Sequence, residues 1–233
     1  MMTTIYFIRH GQASFGAESY DKLSPKGEIQ AKILGEYLHK ILKEEPYIVA
    51  GSMHRHQQTA TISLNECFPH AKIHTNSAWN EFNHQQVFAK YDELFAQPQV
   101  LKKLVSQQDD PYQYLSDTFA HAIERWTSNE YSDEYDESWP QFKLRVENAL
   151  QNLCDELTKI KPRYAVVYTS GGVISVLAGK VLELDIPKTF SLTWAIANAS
   201  LTTCRLIHDE PQILSLNEHH YLKVEDPELL TWI

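Results

Sequence analysis

Four short runs of β-branched and aromatic residues recur along the chain and predict buried strands. They are residues 4–8, 47–50, 71–74 and 164–169. Between them, apolar residues keep the 3.6-residue spacing of helices, as Ile33, Tyr37 and Ile41 do. This alternation of strands and helices favours a parallel sheet with helices packed on its faces.

The helices have recognisable starts. Ser24 as N-cap and Pro25 at the first helical position begin a helix that is predicted to end near Leu42. Further helices are predicted over residues 54–67, 140–159 and 173–182, and further strands over 200–207 and 212–217. Strand signals vanish between residues 84 and 159, which predicts an insertion of helices punctuated by Pro98 and Pro111.

Size and composition fit one globular domain. The 233 residues are 43% hydrophobic, which is ample for a core. We predict a single domain over residues 1–233, with a helical cap insertion at about 84–138. No apolar run approaches the roughly 20 residues of a membrane span. The first four residues lead directly into a strand, so we expect neither a membrane anchor nor a signal peptide.

The cysteines and histidines do not form metal-binding patterns. Cys67, Cys154 and Cys204 are scattered without a CxxC pair, which favours reduced thiols and a cytoplasmic location. Three histidine pairs lack a neighbouring carboxylate or cysteine cluster: His54 and His56, His70 and His74, His219 and His220. We therefore predict surface or capping histidines, no metal and no cofactor.

The net charge of the chain and its distribution limit the classes of molecule that it could bind. The net charge of −9 disfavours a general nucleic-acid binder, which needs a basic face. Residues 89–138 hold eleven Asp or Glu against four Lys or Arg, so much of the negative charge lies in the predicted insertion. A solvated helical face is the simplest explanation.

Residues suited to phosphate chemistry follow the first two strands. Arg9, His10 and Gly11 come directly after the first strand, and ligands bind beyond the carboxyl ends of strands in open α/β sheets. An arginine grips phosphate oxygens, a neutral imidazole attacks phosphorus, and a glycine lets the backbone come close. Arg55, four residues past Gly51, adds a second guanidinium at the same edge.

A candidate proton donor follows the third strand. Glu81 stands between the aromatic residues Trp79 and Phe82. Because burial disfavours the ionised form of a carboxyl group, we predict that Glu81 is a protonated acid able to protonate a leaving oxygen.

In chain order, these residues resemble the histidine phosphatase superfamily, also called phosphoglycerate mutase-like. The matching motifs are Arg9-His10-Gly11-Gln12, Leu23-Ser24-x-x-Gly27-x-x-Gln30-Ala31, Arg55-x-x-x-Thr59-Ala60, Glu81-Phe82, Glu137-Ser138, Arg145-Val146, Gly171-Gly172-Val173-Ile174 and Asn198-x-Ser200. The resemblance covers nearly the whole chain. It implies a three-layer α/β/α fold with a mostly parallel central sheet and a helical cap.

The resemblance also implies a phosphatase that hydrolyses a small phosphomonoester through a phosphohistidine. His10 would attack phosphorus, and Arg9 and Arg55 would bind the phosphoryl oxygens. Glu81 would protonate the leaving group and then activate water. The flanking arginines favour the neutral imidazole that attacks.

The sequence departs from the family pattern at two positions. Ser170 stands where a second histidine usually precedes the Gly-Gly turn, and Gly16 stands where an Asn often occurs. Loss of one preorganised donor costs about 10²–10³ in rate. Backbone N–H groups of Gly171 and Gly172 are expected to hold a phosphate oxygen in partial compensation. We therefore predict a slow phosphatase, in which Ser170→His raises turnover.

Three other functions are less well supported. A non-catalytic phospho-ligand binder of the same fold is the main alternative. A phosphoglycerate mutase is disfavoured because residues 82–87, after Glu81, are uncharged or histidine, whereas phosphoglycerate needs cations for its carboxylate. A nucleophilic Ser170 lacks the preceding glycine of G-x-S-x-G and a recognisable Asp/His pair.

Overall fold

The computed structural model describes residues 2–14 and 21–232. These residues form a mixed α/β fold around a six-stranded sheet. The strands are β1 (Thr4–Arg9), β2 (Tyr47–Ala50), β3 (Ile73–Thr75), β4 (Tyr164–Thr169), β5 (Leu201–Ile207) and β6 (Glu210–Glu218). Their order is β3-β2-β4-β1-β5-β6. Gly16 lies outside the described residues.

The sheet is parallel over its first four strands and antiparallel at one edge. β2 pairs in parallel with β3 and β4, and β4 pairs in parallel with β1. β5 then runs antiparallel to β1, and β6 to β5. The predicted α/β class with a mostly parallel sheet is confirmed. The carboxyl ends of β1, β2 and β4 therefore meet at one edge of the sheet.

The described residues contain nine α-helices. They are α1 (Pro25–Ile41), α2 (His54–Asn65), α3 (His84–Tyr91), α4 (Pro98–Ser106), α5 (Pro111–Thr127), α6 (Trp139–Ile160), α7 (Gly171–Val181), α8 (Ile186–Ala195) and α9 (His220–Glu225). Short 3-10 helices occupy Ser77–Trp79, Glu93–Ala96, Ser132–Glu134 and Pro227–Leu229.

Most predicted elements are present, with small shifts at their ends. Ser24 caps α1 by accepting a hydrogen bond from the Gly27 N–H, as predicted. Gly171 and Gly172 already belong to α7 rather than to a separate turn. The predictions missed α8 and α9, although Asp185 and the proline after it give α8 a normal helix-start signal.

The core of the sheet lies around β1 and β4. All six residues of β4 are buried, and so are Ile5, Phe7 and Ile8 of β1. Leu34 and Leu38 of α1 and Ala60 and Leu64 of α2 cover part of the sheet with buried apolar side chains. These contacts fix the strand ends that carry the candidate site.

The chain divides into two compact units. Phe82–Arg145 forms one unit, and the segments on either side of it form the other. Within Phe82–Arg145, Trp126 stacks on Phe82 at 4.7 Å between ring centroids, and its Nε1 donates to the Glu137 carbonyl. Trp126 and Trp139 are buried and belong to the core of this unit.

Among residues 2–14 and 21–232, no helix is long and apolar enough to cross a membrane. Cys67, Cys154 and Cys204 are free thiols, and burial raises the pKa of Cys67 to about 11. Within the same residues, no three His, Cys, Asp or Glu side chains group as metal ligands would.

Candidate active site

Three neighbouring strands bring the predicted site residues to one edge of the sheet. Arg9 and Thr169 are partners in the parallel β1–β4 pair, so His10 and Ser170 are the next residues of adjacent strands. β2 lies on the other side of β4 and leads through Gly51 into α2, which carries Arg55.

The hydrogen bonds of His10 fix its tautomer. Its Nε2 lies 3.1 Å from Arg55 Nε, which can only donate, so Nε2 is the acceptor. Its Nδ1 lies 2.7 Å from the Gly11 carbonyl and donates the ring proton to it. The Nε2 lone pair therefore faces the guanidinium of Arg55.

Burial and neighbouring cations keep this imidazole neutral. His10 is 7% exposed, and its burial, followed by Arg55, Arg9 and His56, lowers its pKa well below the ordinary value of 6.5. A neutral ring with an unprotonated Nε2 is the form of histidine that can act as a nucleophile.

The backbone around His10 is held on several sides. Its N–H donates to the Thr169 carbonyl at 2.9 Å, and its own carbonyl accepts from the Ala199 N–H at 3.2 Å. The next N–H, of Gly11, donates to Thr59 Oγ1 at 3.0 Å. A Cβ at Gly11 would lie 2.6 Å from the Gly27 carbonyl oxygen, so only glycine fits there.

The motif after β1 ties this loop to α1 and to the end of the chain. Ser24 Oγ donates to Gln12 Oε1 at 2.9 Å. Gln30 Oε1 accepts from the Gln12 N–H at 2.7 Å, and its Nε2 donates to the Leu229 carbonyl at 2.7 Å. The residues Ser24, Gly27 and Gln30 therefore form the scaffold of the loop.

Arg55 is buried and ion-paired. It is 4% exposed, and its Nη1 donates to Asp21 Oδ1 at 2.7 Å. The other carboxylate oxygen, Oδ2, accepts from the His54 N–H at 2.7 Å. Asp21 thus orients the guanidinium that faces His10. No sequence signal indicated this role, because a single acid in a polar loop has no distinctive pattern.

Arg9 reaches toward the segments after α8 and before α7. Its Nη1 donates to the carbonyl of Ile196, directly after α8. A Cβ placed on Gly171 would lie 3.5 Å from Arg9 Nε. The guanidinium of Arg9 therefore lies beside the first residue of α7, one residue beyond Ser170.

Glu81 lies at the N-terminus of α7. Its Oε2 accepts from the Gly172 N–H at 3.0 Å. The predicted use of this N–H for a phosphate oxygen therefore competes with a carboxylate that already occupies it. The side chain of Glu81 therefore lies within hydrogen-bond distance of the backbone at the start of α7.

Ser170 has an unexpected partner. Its Oγ lies 2.6 Å from Nε2 of His56, and both residues are 0% exposed. The rings of His56 and His10 are 5.6 Å apart between centroids. The prediction of a surface or capping role was therefore wrong for His56. Ala60 and Ser63, four and seven residues later, share its buried helix face, and this spacing was the available signal.

Comparison with known proteins shows which family the chain belongs to. The sequence model described as "Histidine phosphatase superfamily (branch 1)" matches residues 5–219. The chain belongs to the histidine phosphatase superfamily. No curated protein matches the chain significantly.

Solved structures share the fold at low sequence identity. A phosphoglycerate mutase from Bacillus anthracis str. Sterne has a TM-score of 0.68 at 17% identity, over 95% of this chain and 96% of that chain. A phosphoserine phosphatase from Entamoeba histolytica in complex with phosphoserine has a TM-score of 0.62 at 18% identity, over 95% and 100%. A putative α-ribazole-5′-phosphate phosphatase from Escherichia coli has a TM-score of 0.61 at 16% identity, over 94% and 97%.

Proposed function

We propose that this histidine phosphatase superfamily member is a phosphatase that hydrolyses a small phosphomonoester through a phosphohistidine at His10. The observation that carries the proposal is the tautomer of His10. Its proton is held on Nδ1 by the Gly11 carbonyl, so Nε2 carries the lone pair, which accepts from Arg55 here and would turn to phosphorus when substrate binds.

The proposed reaction has two halves. His10 Nε2 attacks phosphorus, the P–N bond forms as the P–O bond to the alcohol breaks, and Glu81 gives its proton to the leaving oxygen. Water then attacks the phosphohistidine, Glu81 takes one proton from it, and inorganic phosphate leaves with His10 restored. The Gly172 N–H bond to Glu81 stabilises the carboxylate that the second half needs.

The arginines supply the positive charge for the phosphoryl group. Burial first, and then Arg55 and Arg9, lower the pKa of His10 and favour its nucleophilic neutral form. The same two guanidiniums would bind phosphoryl oxygens as His10 turns toward phosphorus. Asp21 holds Arg55 in place during this step.

Hydrolysis fits the chain better than transfer between two hydroxyls of phosphoglycerate. Residues 82–87, directly after Glu81, contain no Lys or Arg that would hold a substrate carboxylate. A small phosphomonoester is the proposed substrate class. The phosphoserine in the Entamoeba phosphatase supports a compound of this size.

The test is phosphate release from p-nitrophenyl phosphate and a panel of phosphomonoesters by the wild type and by His10→Ala. We expect release by the wild type, a loss of about 10⁴-fold or more in the variant, and a ³¹P phosphohistidine signal in the wild type alone. His54→Ala is the matched control, because His54 is exposed at the start of α2. Vanadate binding without any phosphate release would instead favour a non-catalytic phospho-ligand binder.

A further inference from the structure

The residue that follows β4 is a serine and not a histidine, but a histidine from another element lies beside it. Ser170 follows β4 directly, and the imidazole of His56 reaches its Oγ from α2, 114 residues away in the chain, at 2.6 Å. We propose that His56 acts through Ser170 as the second histidine of the phosphoryl site. This inference rests on the proposed phosphatase function and assigns one further positioning residue to it.

The ring of His56 occupies a place that the fold keeps open for it. A Cβ on Gly51 would lie 2.2 Å from His56 Nδ1, so any larger residue at position 51 would displace the ring. Asn80 Oδ1 accepts from the Ser52 N–H at 2.7 Å and the Met53 N–H at 3.3 Å, which fixes the turn into α2. The ring is therefore positioned by backbone on one side and by Ser170 on the other.

The hydrogen bond between His56 and Ser170 is called the His56–Ser170 relay here. The other contacts of His56 show which of the two residues donates in it. Burial and then Arg55 lower the pKa of His56 well below 6.5, so the ring is neutral and carries one proton. Nδ1 is buried without a hydrogen-bond partner in the part of the chain that the structure describes. A buried N–H without an acceptor is rarer than a bare lone pair, so the proton belongs on Nε2.

This tautomer leaves the serine proton free for an anion. When His56 Nε2–H donates to Ser170 Oγ, the hydroxyl proton of Ser170 is available for a phosphoryl oxygen. The opposite tautomer would consume that proton and present only serine lone pairs to the phosphate. A donated hydrogen bond also polarises the hydroxyl, which strengthens its own donation. Ser170 thus contacts the phosphoryl group, and His56 makes Ser170 a donor.

The position of His56 changes the expectation for Ser170→His. An imidazole at position 170 would overlap the ring of His56, because both residues are fully buried and their polar atoms are already 2.6 Å apart. We expect Ser170→His alone to lower turnover. The gain predicted from the sequence should require removal of the His56 ring as well.

The kinetic experiment compares His56→Ala, Ser170→Ala, the double variant, and the swap His56→Ala with Ser170→His. Each single change should lower kcat by about 10²-fold, the loss of one preorganised donor. The double variant should be no slower than the slower single variant, because the two residues act as a unit. The swap should recover at least tenfold over His56→Ala.

Two variants separate this role from simple packing. His56→Gln keeps a side-chain N–H donor and should retain a kcat at least tenfold above that of His56→Ala, even if the alanine variant is poorly folded. The control His54→Ala removes an exposed side chain but keeps the backbone N–H that donates to Asp21, so it should stay within twofold of the wild type. The inference would be overturned if the fold-losses in kcat of His56→Ala and Ser170→Ala multiplied in the double variant. It would also be overturned if His56→Ala and His54→Ala had equal kcat.

A binding measurement keeps the inference separate from turnover. Vanadate affinity, measured by calorimetry, should fall at least tenfold in His56→Ala and stay unchanged in His54→Ala. If the wild type releases no phosphate but these affinities differ as expected, the proposed phosphatase fails and the His56–Ser170 relay stands. ¹⁵N spectra of the imidazoles should show the proton on Nε2 for His56 and on Nδ1 for His10. A proton on Nδ1 of His56 would overturn the relay.

Discussion

The ends of β1 and β4 are neighbours in the sheet but supply their imidazoles differently. At β1, the histidine is the next residue of the strand, and both of its ring nitrogens have partners. At β4, the strand ends in a serine, and the imidazole arrives from α2. A parallel sheet brings strand ends together, so the helix that follows one strand can place a side chain beside the end of the neighbouring strand.

The difference also concerns how well each ring is fixed. His10 is held through both nitrogens and through its backbone N–H and carbonyl. His56 is held through Nε2 and by the close approach of Gly51. A nucleophile needs a defined tautomer and direction, whereas a residue that acts through a hydroxyl needs only a correctly placed donor.

Arg55→Ala should have the largest effect on the β1 end. It removes the donor to His10 Nε2 and one of the two guanidiniums proposed for the phosphoryl group. We expect kcat/KM for p-nitrophenyl phosphate to fall by about 10²–10³. Arg55→Lys should recover only part of this loss, because an ammonium lacks the planar fork. Arg163→Ala, at an exposed arginine, is the control; an equal loss there would contradict the assignment.

Thr59→Val should destabilise the loop after β1 and leave the contact between His56 and Ser170 in place. Thr59 Oγ1 accepts from the Gly11 N–H and is fully buried, so valine keeps the volume but leaves that N–H without an acceptor. The expected loss in free energy of unfolding is about 1–3 kcal/mol by urea denaturation. Thr59→Ser keeps the hydroxyl and should lose about 0.8 kcal/mol for the missing methyl group. A larger loss for serine than for valine would argue against this hydrogen bond.

The pH dependence of stability should reflect both buried histidines, His10 after β1 and His56 beside the end of β4. Burial and Arg55 lower the pKa values of His10 and His56, with Arg9 and His56 itself also acting on His10. Below about pH 6.5 the unfolded chain binds protons that the folded chain does not. The free energy of unfolding should therefore decrease as the pH is lowered below about 6.5, by at most about 1.4 kcal/mol per pH unit for each histidine.

Histidine variants show which residue causes the change in free energy of unfolding with pH. His56→Asn should reduce the slope below pH 6.5, because burial and Arg55 lower the pKa of the His56 imidazole in the folded chain. Urea denaturation at a series of pH values provides the measurement. A slope that is the same in the wild type and in His56→Asn would mean that His56 is already protonated on both ring nitrogens in the folded state.

Asp21→Asn should have the smallest effect. The carboxylate orients Arg55 at 2.7 Å, but its side chain is 44% exposed, so solvent screens the pair. We expect a loss of about 0.2–1 kcal/mol in the interaction, seen as a fall of a few-fold in kcat/KM. A loss as large as that of Arg55→Ala would show that the arginine cannot keep its direction without Asp21.

Much of the fold was accessible from local patterns. Ser24 and Pro25 predicted the start of α1, and the apolar runs predicted the strands, because capping and burial act over a few residues. α8 was missed although Asp185 caps it. The prediction weighted apolar periodicity, and this helix buries only Thr189 and Phe190 among its residues.

The sequence alone determined which residues reach the sheet edge. Arg9 ends β1, His10 follows it, and Ser170 follows β4, so a parallel pairing of these strands places them side by side. The family motifs carried the same information, and membership of the histidine phosphatase superfamily is confirmed.

Only the tertiary structure decided which side chains touch. Asp21 reaches Arg55, Glu81 accepts from Gly172, and His56 meets Ser170 across 114 residues of chain. No local pattern encodes such distances, because they depend on how helices pack on the sheet and where a glycine leaves room. The serine at the end of β4 appeared in the sequence as a missing histidine, and packing supplied a histidine from α2.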